Sequence, residues 1–132
     1  MREFFKNSVG KVIYHSQGYV RLVYGPEKRA VEELEVFVRQ VSNLIKTSGL
    51  NKVLIDQRLM KEFSLSESQW IANFWLTQAQ DLGLIYRATL PPKDVIARLA
   101  ANNLLKASSA PYLINQAFEH EAEALAWLLK QP

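Results

Sequence analysis

Residues 18–24 alternate strictly, with Val20, Leu22 and Tyr24 on one side and Tyr19, Arg21 and Val23 on the other. A period of two built from β-branched and aromatic residues predicts a half-buried strand. Two shorter alternating runs precede it, at Arg2–Asn7 and Lys11–His15. Gly10 and the Ser16-Gln17-Gly18 segment supply turn chemistry between the runs, so the three predict an antiparallel meander.

The period then changes. Gly25-Pro26 predicts a helix start, with Glu27 placed well for the positive end of the dipole. Ala30, Leu34, Phe37, Val38, Val41, Leu44 and Ile45 recur at helical spacing, and Gly49 suits a left-handed cap. Lys52–Ile55 follows as a strand whose Val53, Leu54 and Ile55 are apolar without alternation, the pattern of a strand buried on both faces. Ser66-Glu67-Ser68-Gln69 fits a capping box, with Leu65 and Trp70 as its hydrophobic staple, and opens a helix that ends near Leu82 at Gly83. Ile85–Leu90 is the next strand. Pro91-Pro92 starts a third helix, carrying Val95, Ile96, Leu99 and Leu104. A loop at Ala107–Pro111 leads to a strand at Tyr112–Phe118. The last helix, from His120 to Leu129, is expected to turn Ala122, Leu125, Ala126 and Leu129 inward.

Three strands followed by alternating helices and strands define an α/β fold: a single domain with a mixed sheet, an N-terminal antiparallel meander and then β-α-β-α-β-α units with right-handed crossovers. The 132-residue length is that of one domain. Cysteine is absent, which removes disulfides, thiolate catalysis and Cys-based metal sites. The N-terminus lacks the apolar core of a secretory signal, and no run is long enough to span a bilayer. The expectation is a soluble, cytoplasmic chain with no membrane partner. Sixteen Lys and Arg against thirteen Asp and Glu leave only +3, scattered along the chain. Without a basic stripe, nucleic acid is not expected as a partner.

Three stretches carry a resemblance. Lys52-Val53-Leu54-Ile55-Asp56-Gln57-Arg58, then Trp70 and Trp75 on the following helix, then Ala122-Glu123-Ala124-Leu125-Ala126-Trp127-Leu128 resemble in order the STAS-like (SpoIIAA-like) domains of bacteria, relatives of the anti-sigma-factor antagonists. The resemblance spans the chain and implies a mixed sheet with packed helices, used for regulatory protein contacts. The antagonists carry a phosphorylatable Ser just after a strand-terminal Asp. Here Gln57, Arg58 and Leu59 follow Asp56, so that switch is not carried over, and Ser64 and Ser66 lie further on.

Candidate chemistry is sparse. Asp56 and Arg58 end the central strand, at the edge where α/β sheets bind ligands, and Lys93 follows the next strand. Together they are candidates for binding an anionic group. The plainer reading, a local Asp56–Arg58 pair, is favoured. A receiver-type metal site at Asp56 lacks the neighbouring carboxylates, since only Asp81 and Asp94 join it. His15 reads as a strand end. His120, between Glu119 and Glu121, reads as a solvated helix start, because consecutive helical residues diverge. Ser108-Ser109 reads as loop rather than nucleophile. No catalytic constellation, metal set or cofactor motif is recognised, so no enzyme is expected.

The helix after Asp56 is more informative. Trp70, Ile71, Phe74, Trp75, Leu76, Ala79 and Leu82 cover an arc wider than a surface helix needs. Ile71, Trp75 and Leu82 are expected at its centre, Trp70 and Phe74 on one margin and Leu76 on the other. Those margins either pack on neighbouring helices or form a protein interface, where aromatic anchors dominate binding. The expected function is a non-catalytic regulatory or interaction module, with a homodimer through an edge strand or an apolar helix margin as a candidate assembly. The alternative is a domain binding a small anionic ligand or lipid at the C-terminal edge of the parallel strands.

Overall fold

In the computed structural model the three alternating runs form β1 (Arg2–Lys6), β2 (Gly10–His15) and β3 (Tyr19–Tyr24), paired antiparallel in sequence. The structure describes residues 2–107 and 110–132; Ser108, Ser109 and the side chain of Ala79 lie outside the description. Val12 sits opposite Leu22 and Tyr14 opposite Val20. The meander therefore turns Val12, Val20, Leu22 and Tyr24 to one face. Tyr19 and Arg21 turn to the other. Gly10 is required where β2 meets β3, because a Cβ there would lie 1.8 Å from the Val23 carbonyl oxygen.

After β3 come α1 (Val31–Ser48), β4 (Lys52–Asp56), α2 (Leu65–Leu82), β5 (Ile85–Leu90), α3 (Val95–Ala107), β6 (Leu113–Ala117) and α4 (Glu121–Lys130). The sheet has six strands in sequential order, with β3 through β6 parallel. Each crossover steps one strand in the same direction, and right-handed crossovers of that kind lay their helices on one face. Accordingly Leu34, Phe37 and Val41 of α1, Ile71 and Trp75 of α2 and Leu104 of α3 share one core with Val53, Ile55, Ile85 and Leu113. Among the described helices α4, which leads to no further described strand, packs on the reverse face. Its Ala124 and Leu128 meet Tyr19, Leu54, Tyr86, Ala88 and Leu90. The unalternating Val53-Leu54-Ile55 is thus buried from both sides.

Element ends depart from the sequence pattern where side chains compete. Helix α1 begins at Val31, five residues after Pro26, and its N-cap Ala30 offers no side-chain bond. The intervening segment is held irregular by Arg29, which binds Glu67 (Nε–Oε2 3.0 Å) and the carbonyls of Lys61 (3.1 Å) and Glu62 (2.8 Å). Gly49 does close α1 in the left-handed region, at φ 75°.

The capping box of α2 is Ser64/Glu67 rather than Ser66/Gln69. Ser64 Oγ accepts the Glu67 N–H (3.1 Å), and Glu67 Oε1 accepts the Ser64 N–H (2.7 Å). Both tetrapeptides satisfy the motif, and the carboxylate that also reaches Arg29 prevails. Leu65 is 76% exposed, so it staples nothing.

Helix α3 starts at Val95 after Asp94, whose Oδ2 accepts the Ala97 N–H at 2.9 Å. It buries Ala97, Ala101 and Leu104 and leaves Val95, Ile96 and Leu99 exposed. Helix α4 likewise turns Ala124 and Leu128 inward, leaving Ala122 and Ala126 exposed. Both helices are apolar around much of their circumference, so spacing alone did not select the stripe that packs. Among the described residues no helix is long and apolar enough to cross a membrane.

Candidate functional site

The middle of β3, the C-terminal end of β4 and the first turn of α4 converge on a cluster of four charges. Asp56, the last residue of β4, lies on the α4 face and is nearly buried. Arg58 grips it with two parallel bonds, Nε–Oδ1 at 3.0 Å and Nη2–Oδ2 at 2.8 Å, and its main-chain N–H reaches Oδ1 at 3.2 Å. Arg21 Nη2 from β3 lies 3.0 Å from Asp56 Oδ2. Glu121 Oε1 accepts from both arginines, at 2.8 Å from Arg21 and 3.0 Å from Arg58.

Burial alone would push the Asp56 carboxyl up. The Arg58 hydrogen bonds and the two guanidinium charges outweigh it and hold the group below the usual carboxylate range. Glu121 is also held low, first by its bond from Arg21. The cluster is therefore fully ionised at neutral pH, and its two positive and two negative charges cancel. A further anion would meet no net positive charge there.

Asp56 and Arg58 thus come together, but Lys93 does not join them. It is exposed, and among the described residues its tie to the cluster is a main-chain N–H to the Arg58 carbonyl at 3.4 Å. None of the five described cavities is lined by Asp56, Arg58 or Lys93. Arg21 and Glu121 are the members that the sequence did not single out. The available signal was a cation on the alternating strand beside Tyr19, facing the layer that α4 occupies.

Two open grooves flank α2 instead, and they divide the aromatic margins. Between α1 and α2 a groove of about 530 Å³ is lined by Trp70 and Phe74 together with Val36, Arg39, Gln40, Ser42, Asn43, Lys46, Asn73, Thr77 and Gln78. The Trp70 and Phe74 rings stack, with centroids 5.4 Å apart and planes 19° apart. The Arg39 guanidinium covers Trp70 at 5.6 Å, and Phe74 meets Trp75 edge-on. Leu76 lines the second groove, about 770 Å³ between α2 and α3, with Phe63, Leu65, Ala72, Ala100 and Leu104. The centre of the helix behaves as its periodicity predicts: Ile71 and Trp75 are buried, and Leu82 is partly so.

Beneath α2 and α3 lies an interior polar patch that the apolar pattern of β5 concealed. Arg87 is 2% exposed, bonds Asn115 through Nε and stands over the Trp75 ring at 5.0 Å. Burial drives its guanidinium well below its ordinary range. Gln57 Oε1 and Thr89 Oγ1 are buried nearby with no hydrogen-bond partner among the described residues. The adjoining space is about 20 Å³, room for nothing larger than a water molecule.

The histidines are separated. His15 stacks on Tyr19 at 4.5 Å, and His120 is the N-cap of α4. Among the described residues, no group of three His, Asp or Glu side chains is placed to hold a metal ion. The Ser108-Ser109 pair lies outside the described residues. The fold and this inventory define a six-stranded mixed α/β domain with a self-neutralised polar edge and grooved helical face. No family model matches the chain, and no curated protein matches it.

Proposed function

We propose that this chain is a non-catalytic protein-interaction module of the STAS-like regulatory type, working through the face that carries α1 and α2. The observation that carries the proposal is the Trp70–Phe74 stack, half-buried in an open groove rather than sealed beneath a neighbouring helix. Rigid aromatic anchors in a groove are the residues that dominate protein interfaces. The mixed sheet with helices packed on it supports the resemblance, and the charge-balanced strand edge gives the anionic-ligand alternative less to work with.

The test places a photoreactive amino acid at Thr77, an exposed groove residue, in cells that naturally express the chain. A crosslinked adduct of defined mass is expected. It should vanish when Trp70→Ser and Phe74→Ser are added, while circular dichroism shows the fold intact. No adduct, or one indifferent to both substitutions, would remove the basis for the interaction reading.

A further inference from the structure

We infer that the groove between α1 and α2 receives an acidic peptide segment of a partner protein. This rests on the interaction reading and names the chemistry of its occupant. The groove is lined by two charged side chains, Arg39 and Lys46, both cationic and both exposed. Arg39 has one ion pair among the described residues, with Glu35 at 3.7 Å on the preceding turn. Exposed pairs of that kind hold a charge weakly, so the guanidinium remains able to engage a carboxylate. The amides of Asn43 and Asn73 line the same groove and offer donors and acceptors to an extended main chain. The edge of the Trp70–Phe74 pair offers an apolar side chain its contact. A volume of about 530 Å³ suits a few residues of such a segment.

Two other occupants fit less well. Single-stranded nucleic acid would also seek cations and aromatic rings, but it needs open ring faces for its bases. Here Trp70 has Phe74 on one flank and the Arg39 guanidinium over its ring, while Phe74 also meets Trp75. A second copy of this chain, docked about a two-fold axis through the groove, would bring Arg39 and Lys46 against their own equivalents. Like charges so juxtaposed oppose association.

The experiment selects displayed random heptapeptides on the folded chain, then measures the enriched peptides by fluorescence anisotropy. Enriched sequences should be rich in Asp and Glu around one large apolar residue. Their affinity should fall about tenfold in the Arg39→Glu, Lys46→Glu double variant, whose substitutions are both on the surface. It should also weaken as salt rises from about 50 to 500 mM, as the Debye length shrinks. Enrichment of acid-poor peptides that still depend on Trp70 and Phe74 would overturn the charge assignment while leaving the interaction reading intact. No peptide dependent on those two residues would overturn both. Oligothymidylate binding that is lost in Trp70→Ser, or a dimer by light scattering that dissociates on that change, would replace the acidic peptide with those occupants.

Discussion

Replacing Asp56 with Asn tests whether the charge cluster holds the end of the sheet together. The substitution keeps the volume and leaves an oxygen for the Arg58 main-chain N–H, now 3.2 Å from Oδ1, but it deletes the negative charge. Arg21 and Arg58 then share Glu121 alone, and 16% and 35% of their side-chain surfaces are exposed. Two unit charges about 4 Å apart attract by about 4 kcal/mol at an effective dielectric constant near 20. Breaking a fully buried pair costs about 3–5 kcal/mol. Solvent reaches Arg58 and Glu121 and screens their share, so about 2–3 kcal/mol is expected here.

The acid dependence gives the test its sign. The folded Asp56 carboxyl is held below its unfolded range, so its contribution is complete above an unfolded pKa of about 3.9 and disappears as pH falls through the lower folded value. Urea denaturation should show the wild type ahead of Asp56→Asn by that margin at pH 7, and the gap should narrow steadily below about pH 4. A gap under about 0.5 kcal/mol at pH 7, the range of ordinary surface changes, would refute the reasoning. So would a gap that persists unchanged into acid.

Ser64→Ala should cost about 1 kcal/mol in urea melts and Ser66→Ala far less, because the first bonds the Glu67 N–H; equal losses would return the cap to Ser66. Gly10→Ala should cost at least about 3 kcal/mol or prevent folding, since its Cβ would collide with the Val23 carbonyl. A near-native thermal midpoint would show that β2 and β3 do not approach as described. Lys93→Ala should change stability by less than about 0.5 kcal/mol, because its exposed ammonium makes no ion pair among the described residues. A larger loss would place that ammonium in the charge cluster.

The sequence was most legible where one physical demand acted alone. Alternation in Val20-Arg21-Leu22-Val23-Tyr24 reports a sheet face against a helical layer, and the unbroken Val53-Leu54-Ile55 reports two covered faces. Gly49 announces its left-handed cap because no other residue adopts it as easily. Legibility failed where two motifs overlapped or two stripes competed. Ser64 and Ser66 each begin a valid capping box, and only Arg29, more than thirty residues away, decides between them. Helix α3 offers both a Val95-Leu99 stripe and an Ala97-Ala101-Leu104 stripe, and it buries the second. The charge cluster needed Arg21, Asp56, Arg58 and Glu121 to meet from three separate segments. Spacing along the chain carries no trace of such a meeting beyond a cation on a face that should be covered.

The strand order explains why the open seams of this domain lie on its helical face. Open α/β sheets form a ligand crevice where the strand order reverses, because the helices on either side of that point diverge onto opposite faces. Here the parallel strands run β3-β4-β5-β6 without reversal, and α1, α2 and α3 all lie on one side. None of the five described cavities is lined by Asp56 or Arg58 at the C-terminal end of β4. The return of the chain into α4 carries Glu121 to that edge, where it and Asp56 balance the charges of Arg21 and Arg58. Stacking three consecutive helices on one face leaves concave seams between them instead. The two seams beside α2 hold Trp70 and Phe74 on one side and Leu76 on the other. The excess apolar arc of that helix is therefore a consequence of its central position, since it must pack on the sheet and on two neighbours at once. Of its three half-buried margin residues, the stacked pair beneath Arg39 combines rigid aromatic surface with nearby cations, whereas the groove beside Leu76 has no charged side chain in its lining.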